Sequence, residues 1–291
     1  MKQARRGSEL STLPKFQKVG RHSWGAIGAG DDVFHSYGSN QGLVFGRRTV
    51  LVFDTGFHVR VSLELLKRAR RSRTNTIFVT NSHHHTDHTF GNCTFADAGS
   101  LIVAHENCGR NMQRKSASLL EGYRRRDSRL SGLLRGVRVA FPDITYRDRL
   151  ESILGDQLEA MIIHPGLRAH TNGDSLVFVP RDRAVFAGDL LWVGYHPNME
   201  DADFDGQVTA LRMILRLRPR RIVPGHGPVC GVVEVRRFIK YLQELDRNIR
   251  SGLRKSLRDD ELVHRAIPRW SRDWKMRWLM ESYIRDLAGK S

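Results

Sequence analysis

Thr80-Asn81-Ser82-His83-His84-His85-Thr86-Asp87-His88 places four potential metal donors, His83, His85, Asp87 and His88, within six positions. The run begins where Thr76-Ile77-Phe78-Val79-Thr80 ends, and that pentapeptide has the length and apolar, β-branched content of a buried strand. A strand end is a rigid platform from which polar side chains can be aimed. Imidazole nitrogens with a carboxylate suit zinc, manganese or iron. A lone loop histidine is more often exposed than a ligand, but this density of donors directly after a strand points to ligation. His84, between the donors, is expected to point elsewhere.

One turn cannot surround two metal ions, so further donors must come from other strand ends. Three positions supply them. His170 lies in Arg168-Ala169-His170-Thr171-Asn172-Gly173-Asp174, just before an apolar run at 175–179. Asp189 lies in Phe186-Ala187-Gly188-Asp189-Leu190, just after a buried strand, and His226 in Pro224-Gly225-His226-Gly227-Pro228, just after Arg221-Ile222-Val223. Each turn contains glycine, which permits the tight backbone that brings strand ends together. His22, His35, His58, His105, His164 and His264 have no comparable setting and read as structural or exposed.

Outward from these turns the chain alternates strands and helices. Residues 16–53 are rich in Gly, Val, Phe and Tyr, with turns at 28–32 and 38–42, and read as short antiparallel strands. Val59, Leu63 and Leu66 have helical spacing within 58–71. Leu101–Ala104 reads as a strand. Residues 107–138 are basic and poor in strand formers, so they read as helices or as a mobile cover that selects an acidic or large substrate through Arg124, Arg125 and Arg126. Strands follow over 143–163, then a hairpin of 175–179 and 183–187 around Pro180-Arg181-Asp182. A helix covers 205–217, and from Val232 onward the chain is mainly helical, broken at Pro268. The class is α/β or α+β. Residues 1–15 read as a flexible tail and 16–291 as one domain, which includes the basic segment 107–138 and the helical region 232–291.

Composition narrows the function classes. The net charge is +17, with arginine clusters at 124–126, 212–221 and 236–237. Such a surface attracts nucleic acid or acidic substrates. Base-stacking aromatics are not interleaved with it, so a solvated arginine-rich surface is the favoured reading. Cys93, Cys108 and Cys230 form neither an even set nor a C-x-x-C pair, which argues against a disulfide framework. No run approaches the length of a membrane span. The basic N-terminus precedes no apolar stretch, so a cytoplasmic location is expected.

Taken in order, Ser39-Asn40-Gln41-Gly42, Asp54-Thr55-Gly56, the His83–His88 run, His170, Asp189 and His226 resemble the metallo-β-lactamase superfamily, over roughly Val19 to Val229. The resemblance implies a four-layer αβ/βα sandwich with the site at one edge of two sheets. It implies a first metal on His83, His85 and His170, a second on Asp87, His88 and His226, and Asp189 between them. Asp54 would orient the site through hydrogen bonds. Trp192, Tyr195, His196 and Asn198 follow Asp189 closely in sequence and are for that reason expected to shape the substrate pocket. The cofactor implied is two zinc ions, with manganese or iron as alternatives. The chemistry implied is attack on an ester, thioester, lactone or related acyl carbon by a hydroxide bridging the metals, with Asp87 helping to position it. Asp189 resembles the bridging ligand of glyoxalase-II-like hydrolases, whereas true β-lactamases carry Cys or Ser there. A small-molecule acyl substrate is therefore the expected partner; the sequence says nothing of oligomeric state. The alternatives are a phosphodiesterase or nuclease of this fold, a mononuclear iron oxygenase, and a non-catalytic binding protein.

Overall fold

The computed structural model describes residues 13–71, 76–155 and 157–289. Most of the expected N-terminal tail, residues 1–12, lies outside them. The first sheet holds β1 (Lys15–Lys18), β2 (Ser23–Ile27), β3 (Gln41–Phe45), β4 (Thr49–Phe53), β5 (Thr76–Thr80), β6 (Leu101–His105) and β7 (Ile144–Tyr146), in that order. Pairing is antiparallel up to β4 and parallel from β4 to β7. The second sheet holds β8 (Arg149–Ile153), β9 (Glu159–Ile163), β10 (Leu176–Val179), β11 (Ala184–Trp192) and β12 (Arg221–His226), ordered β12-β11-β10-β9-β8. Only β11 and β12 run parallel there.

The helices are α1 (Val59–Arg70), α2 (Thr86–Thr89), α3 (Asn92–Asp97), α4 (Glu106–Arg126), α5 (Ser128–Leu133), α6 (Phe204–Arg216), α7 (Val232–Arg254), α8 (Asp259–Ala266) and α9 (Arg277–Gly289). Strand alternation builds the layers. In β4, Leu51 and Phe53 face β10 and β11 across the inter-sheet core, while Val50 and Val52 face α1 and α3. In β11, Phe186 joins the inter-sheet core, while Val185 and Ala187 pack beneath α6–α9. The result is an αβ/βα sandwich. No helix among the described residues is long and apolar enough to cross a membrane.

Three local expectations need correction. Helix α1 forms where the spacing predicts it, but its buried stripe is Val61, Leu65, Leu66 and Ala69, and Leu63 is 41% exposed. The small Ala69 lets that stripe lie against the sheet, which spacing alone does not reveal. Strands β11 and β12 run on to Trp192 and His226, so Asp189 and His226 lie within strands rather than just after them. Between Val33 and Gly38 the chain forms a 3-10 turn in which Ser36 and Tyr37 take positive φ.

The segment 107–138 is helical. Cys108, Met112, Ser116 and Leu120 recur every fourth residue as the buried stripe of α4. Leu120, Leu130 and Leu134 close over Phe57 and Phe90, which places α4 above the edge where the two sheets meet.

Candidate metal centre

The seven side chains singled out as donors converge at that edge in two groups. In the first, His170 Nε2 lies 3.3 Å and His83 Nε2 3.6 Å from Asp189 Oδ2. His85 Nδ1 lies 3.1 Å from His170 Nε2. In the second, His88 Nε2 and His226 Nε2 each lie 3.4 Å from Asp87 Oδ2, and 3.1 and 3.4 Å from Asp189 Oδ1. Within each group the potential ligand atoms all fall inside 4.8 Å of one another. Asp189 thus turns one carboxylate oxygen toward each group.

Hydrogen bonds behind the rings decide which nitrogen faces inward. His226 Nδ1 lies 2.9 Å from the Tyr37 carbonyl. A carbonyl only accepts, so Nδ1 carries a hydrogen and Nε2 is the nitrogen turned inward. His88 Nδ1 lies 2.8 Å from Asp54 Oδ2, and the other Asp54 oxygen accepts from the Ser82 amide at 2.7 Å. His83 Nδ1 meets Ser82 Oγ at 2.9 Å. Such outer partners orient metal-binding imidazoles and raise their basicity. The Tyr37 carbonyl reaches His226 from a left-handed backbone (φ 53°), a conformation uncommon for a residue of that size.

The electrostatics are those of a dry, crowded site. Burial lowers the pKa of His83 well below the ordinary range, and the charge of His88 lowers it further. Burial likewise takes His170 down to about 3. For His88, burial also acts downward, but Asp189, Asp87 and Asp54 together outweigh it and raise the pKa well above 6.5. For Asp189, burial acts upward, and His88, His226 and His83 reverse it, so the carboxyl stays ionised. His83 Nε2, His88 Nε2, His226 Nε2 and Asp189 Oδ1 are buried without a hydrogen-bond partner. An unsatisfied buried polar atom costs about 1–3 kcal/mol. Divalent cations would satisfy all four at once, and the imidazole and carboxylate donors suit them. The residues present therefore fit metal ions.

The residues expected to shape the pocket separate. A cavity of about 370 Å³ opens on the site, and Trp192 and Asn198 line it with His85, Asp87, Asp189 and His226. Trp192 stacks on His226 at 3.9 Å and 14° between planes, and its Nε1 donates to the Asp189 carbonyl. Tyr195 stands behind His226, its ring 5.9 Å away and its hydroxyl donating to the Gly30 carbonyl. His196 faces the opposite way, hydrogen-bonded to the Tyr241 hydroxyl at 2.7 Å and lying against Trp274. The chain bends at Val193 and Gly194, and the His196 amide donates to the Lys275 carbonyl, which sets the ring in the core beneath the C-terminal helices. Arg124 is also directed away, donating to the Val137 carbonyl at 2.7 Å and pairing with Glu121.

Asp201 is the functional residue that sequence reasoning missed. Its Oδ2 lies 3.5 Å from His85 Nε2, 3.4 Å from His84 Nε2 and 2.8 Å from Lys115 Nζ. It stands behind His85 at a longer distance than the 2.8 Å at which Asp54 holds His88, and Lys115 fixes it there. His84 therefore points to Asp201 and lines the cavity rather than leaving the site. No local pattern in Met199-Glu200-Asp201-Ala202 announces this role; only the folded chain brings Asp201 to the His83–His88 turn.

Among solved structures the chain is similar to a metallo-beta-lactamase from Pontibacter korlensis, with 18% identity and a TM-score of 0.64 over 79% of this chain and 99% of that one. It is similar also to the metallo-beta-lactamase FIM-1 from Pseudomonas aeruginosa in its mono-zinc form, with 16% identity and a TM-score of 0.62 over 81% and 97%. At such identities the likeness is one of fold. No curated protein matches the chain significantly in sequence. The profile of the Metallo-beta-lactamase superfamily matches residues 37–226, from the strained Tyr37 turn to the last of the seven donors, and the chain belongs to that superfamily.

Proposed function

We propose that this chain is a hydrolase of the glyoxalase-II-like kind, which holds two zinc ions, or manganese or iron in their place, and cleaves an ester, thioester, lactone or related acyl bond. The observation that carries the reading is Asp189, one side chain whose two oxygens join both donor groups. When bound, such a pair of ions supplies a water of lowered pKa and a polarised acyl carbonyl. His83, His85, His170 and Asp189 would hold one ion, and Asp87, His88, His226 and Asp189 the other. Asp54 and Asp201 keep His88 and His85 turned toward them. Asp87 lies on the cavity wall, where its carboxylate would accept a hydrogen bond from a water and set its direction. Trp192, flat on His226, excludes bulk water from that side. Cys93, Cys108 and Cys230 are buried and free of disulfides, in keeping with a cytoplasmic setting.

The test is Asp87→Asn, which keeps the volume and removes the charge. The parent should hydrolyse at least one class in a panel of thioesters, esters and lactones, and carry about two metal ions per chain. The variant should lose one of them and about 10²-fold or more in turnover, with its thermal midpoint nearly unchanged. Full metal content and activity in the variant would falsify this mechanism. Cleavage confined to phosphodiesters would overturn the acyl assignment.

A further inference from the structure

Beside the metal-site cavity lies a second one of about 300 Å³, lined by Asn111, Arg114, Lys115, Arg168, Asn172 and Asp201. The two cavities share Arg114, Lys115 and Asp201, so they adjoin on the side of the first donor group. Three cations and one carboxylate line the annex. Lys115 is paired with that carboxylate at 2.8 Å. Among the described residues, the guanidinium groups of Arg114 and Arg168 have no carboxylate partner. Arg114 donates to the Asn111 side chain, and Arg168 Nε to the Asp201 backbone carbonyl. The walls are tied together: Asn111 Nδ2 donates to Asn172 Oδ1 at 2.7 Å and Asn107 Nδ2 to the Asn172 carbonyl at 2.9 Å. Asn111 is itself buried. The annex is thus pre-organised around two unneutralised arginines, whose planar forks match carboxylate and phosphate oxygens.

Helix α4 links this annex to a different surface. Lys115, Leu119 and Tyr123 follow one another at four-residue spacing and share one face of the helix. Across that face the lining turns from cationic to apolar. Leu119, 40% exposed, and Trp278, 52% exposed, both line the main cavity, as do Met276 and Leu279 at the start of α9. Exposed large apolar side chains gathered at a cavity mark a ligand surface.

We propose that the substrate is two-armed: an oxyanion group, carboxylate or phosphate, seats in the annex on Arg114 and Arg168, and an apolar arm lies along Leu119 and Trp278. This rests on the acyl-hydrolase reading for the bond that is cleaved, but the recognition is tested by binding alone. Calorimetry on the full-length protein as purified would compare octanoate, octyl phosphate and octanamide. The parent should bind at least one of the two anions about tenfold or more tightly than the amide, and the tighter anion names the oxyanion. Arg114→Gln with Arg168→Gln should abolish that preference while changing octanamide affinity less than about twofold. Trp278→Ala should weaken all three probes alike. The triple variant Arg124→Gln, Arg125→Gln, Arg126→Gln should bind as the parent does. Arg114, Arg168, Arg125 and Arg126 are exposed and Arg124 is half-buried, and matching thermal midpoints would verify folding. Equal binding of anions and amide by the parent, or a preference that survives loss of both annex arginines, overturns the proposal. A protein that fails the acyl panel yet shows the expected binding would lose the acyl reading and keep the annex.

Discussion

Asp54 adopts a left-handed backbone (φ 60°) and is fully buried, with one oxygen on His88 and the other on the Ser82 amide. A single carboxylate thereby fixes both a ring and the turn that carries the neighbouring His83. His58, four residues on, shows the opposite case. It is buried, neither ring nitrogen has a hydrogen-bond partner, and burial brings its pKa from 6.5 to about 4. The unfolded chain takes up a proton near pH 6.5, whereas the native ring stays neutral until about pH 4. Its share of stability is therefore intact above pH 6.5 and drains away as pH falls toward 4, reaching roughly 2–3 kcal/mol by about pH 4.5. His58→Leu should remove that dependence. Denaturant unfolding of parent and variant at neutral pH and near pH 4.5 checks it. A stability difference between the two that does not move with pH would refute it.

At the scale of elements, the centre depends on how β11 bends beside β12. The register of this parallel pair shifts between Phe186 and Gly188 and again before Trp192, and such irregularities re-aim side chains. Gly188 has φ 53°, and a methyl group there would lie 2.6 Å from Ser82 Cβ. On β12, a methyl group at Gly225 would collide with Asp189 Oδ1 and lie 2.7 Å from the Gly188 backbone. Gly225→Ala should therefore displace the one carboxylate that both donor groups share. Bound metal and turnover should fall by about 10–100-fold or more. Gly122→Ala is the contrast, since nothing stands within 4 Å of a methyl group there. It lies inside α4 and should stabilise the fold by roughly 0.5–1 kcal/mol with metal content unchanged. Metal analysis and thermal unfolding of both variants are the measurements. Parental metal content in Gly225→Ala would show that β11 is more yielding than its contacts imply.

The molecule as a whole is closed on one side by its C-terminal helices. Leu262, Val263, Ile267, Met280 and Ile284 join the core built on Tyr241, Leu245 and Ile249 of α7. Met276, Trp278 and Leu279 continue from that layer into the cavity wall. A chain ending at Leu257 should thus lose both a core face and part of the pocket. Loss of the cooperative thermal transition and binding of a hydrophobic dye are expected; a transition at the parental midpoint would contradict this. Part of the high positive charge is also accounted for at this scale. The Arg237 guanidinium sits 5.3 Å from the Trp270 ring and 5.8 Å from that of Trp274, and Lys240 is 5.8 Å from Trp270. These basic residues of α7 lie over the protein's own tryptophans.

The seven candidate donors are legible in the sequence because each has a local mark: a dense run after a strand for His83, His85, Asp87 and His88, and a glycine next to an apolar strand run for His170, Asp189 and His226. The mixed α and β class follows from strand and helix periods, which are local properties too, whereas the four-layer order is what the resemblance implies. What needs the folded chain are contacts made across it. Asp201 reaches His85 and Lys115 from a loop with no motif of its own. Trp192 turns to the site and His196 to the core, although both follow Asp189 closely, because that choice depends on which neighbours each side chain meets. The two faces of α4, one buried and one lining the cavity, have similar spacing in sequence, and only packing of Cys108 and Met112 against Ala104 of β6 on one side and the cavity shared with α9 on the other separates them. Periodicity names an element and its stripes, but the side on which a stripe is buried is decided by what packs against it.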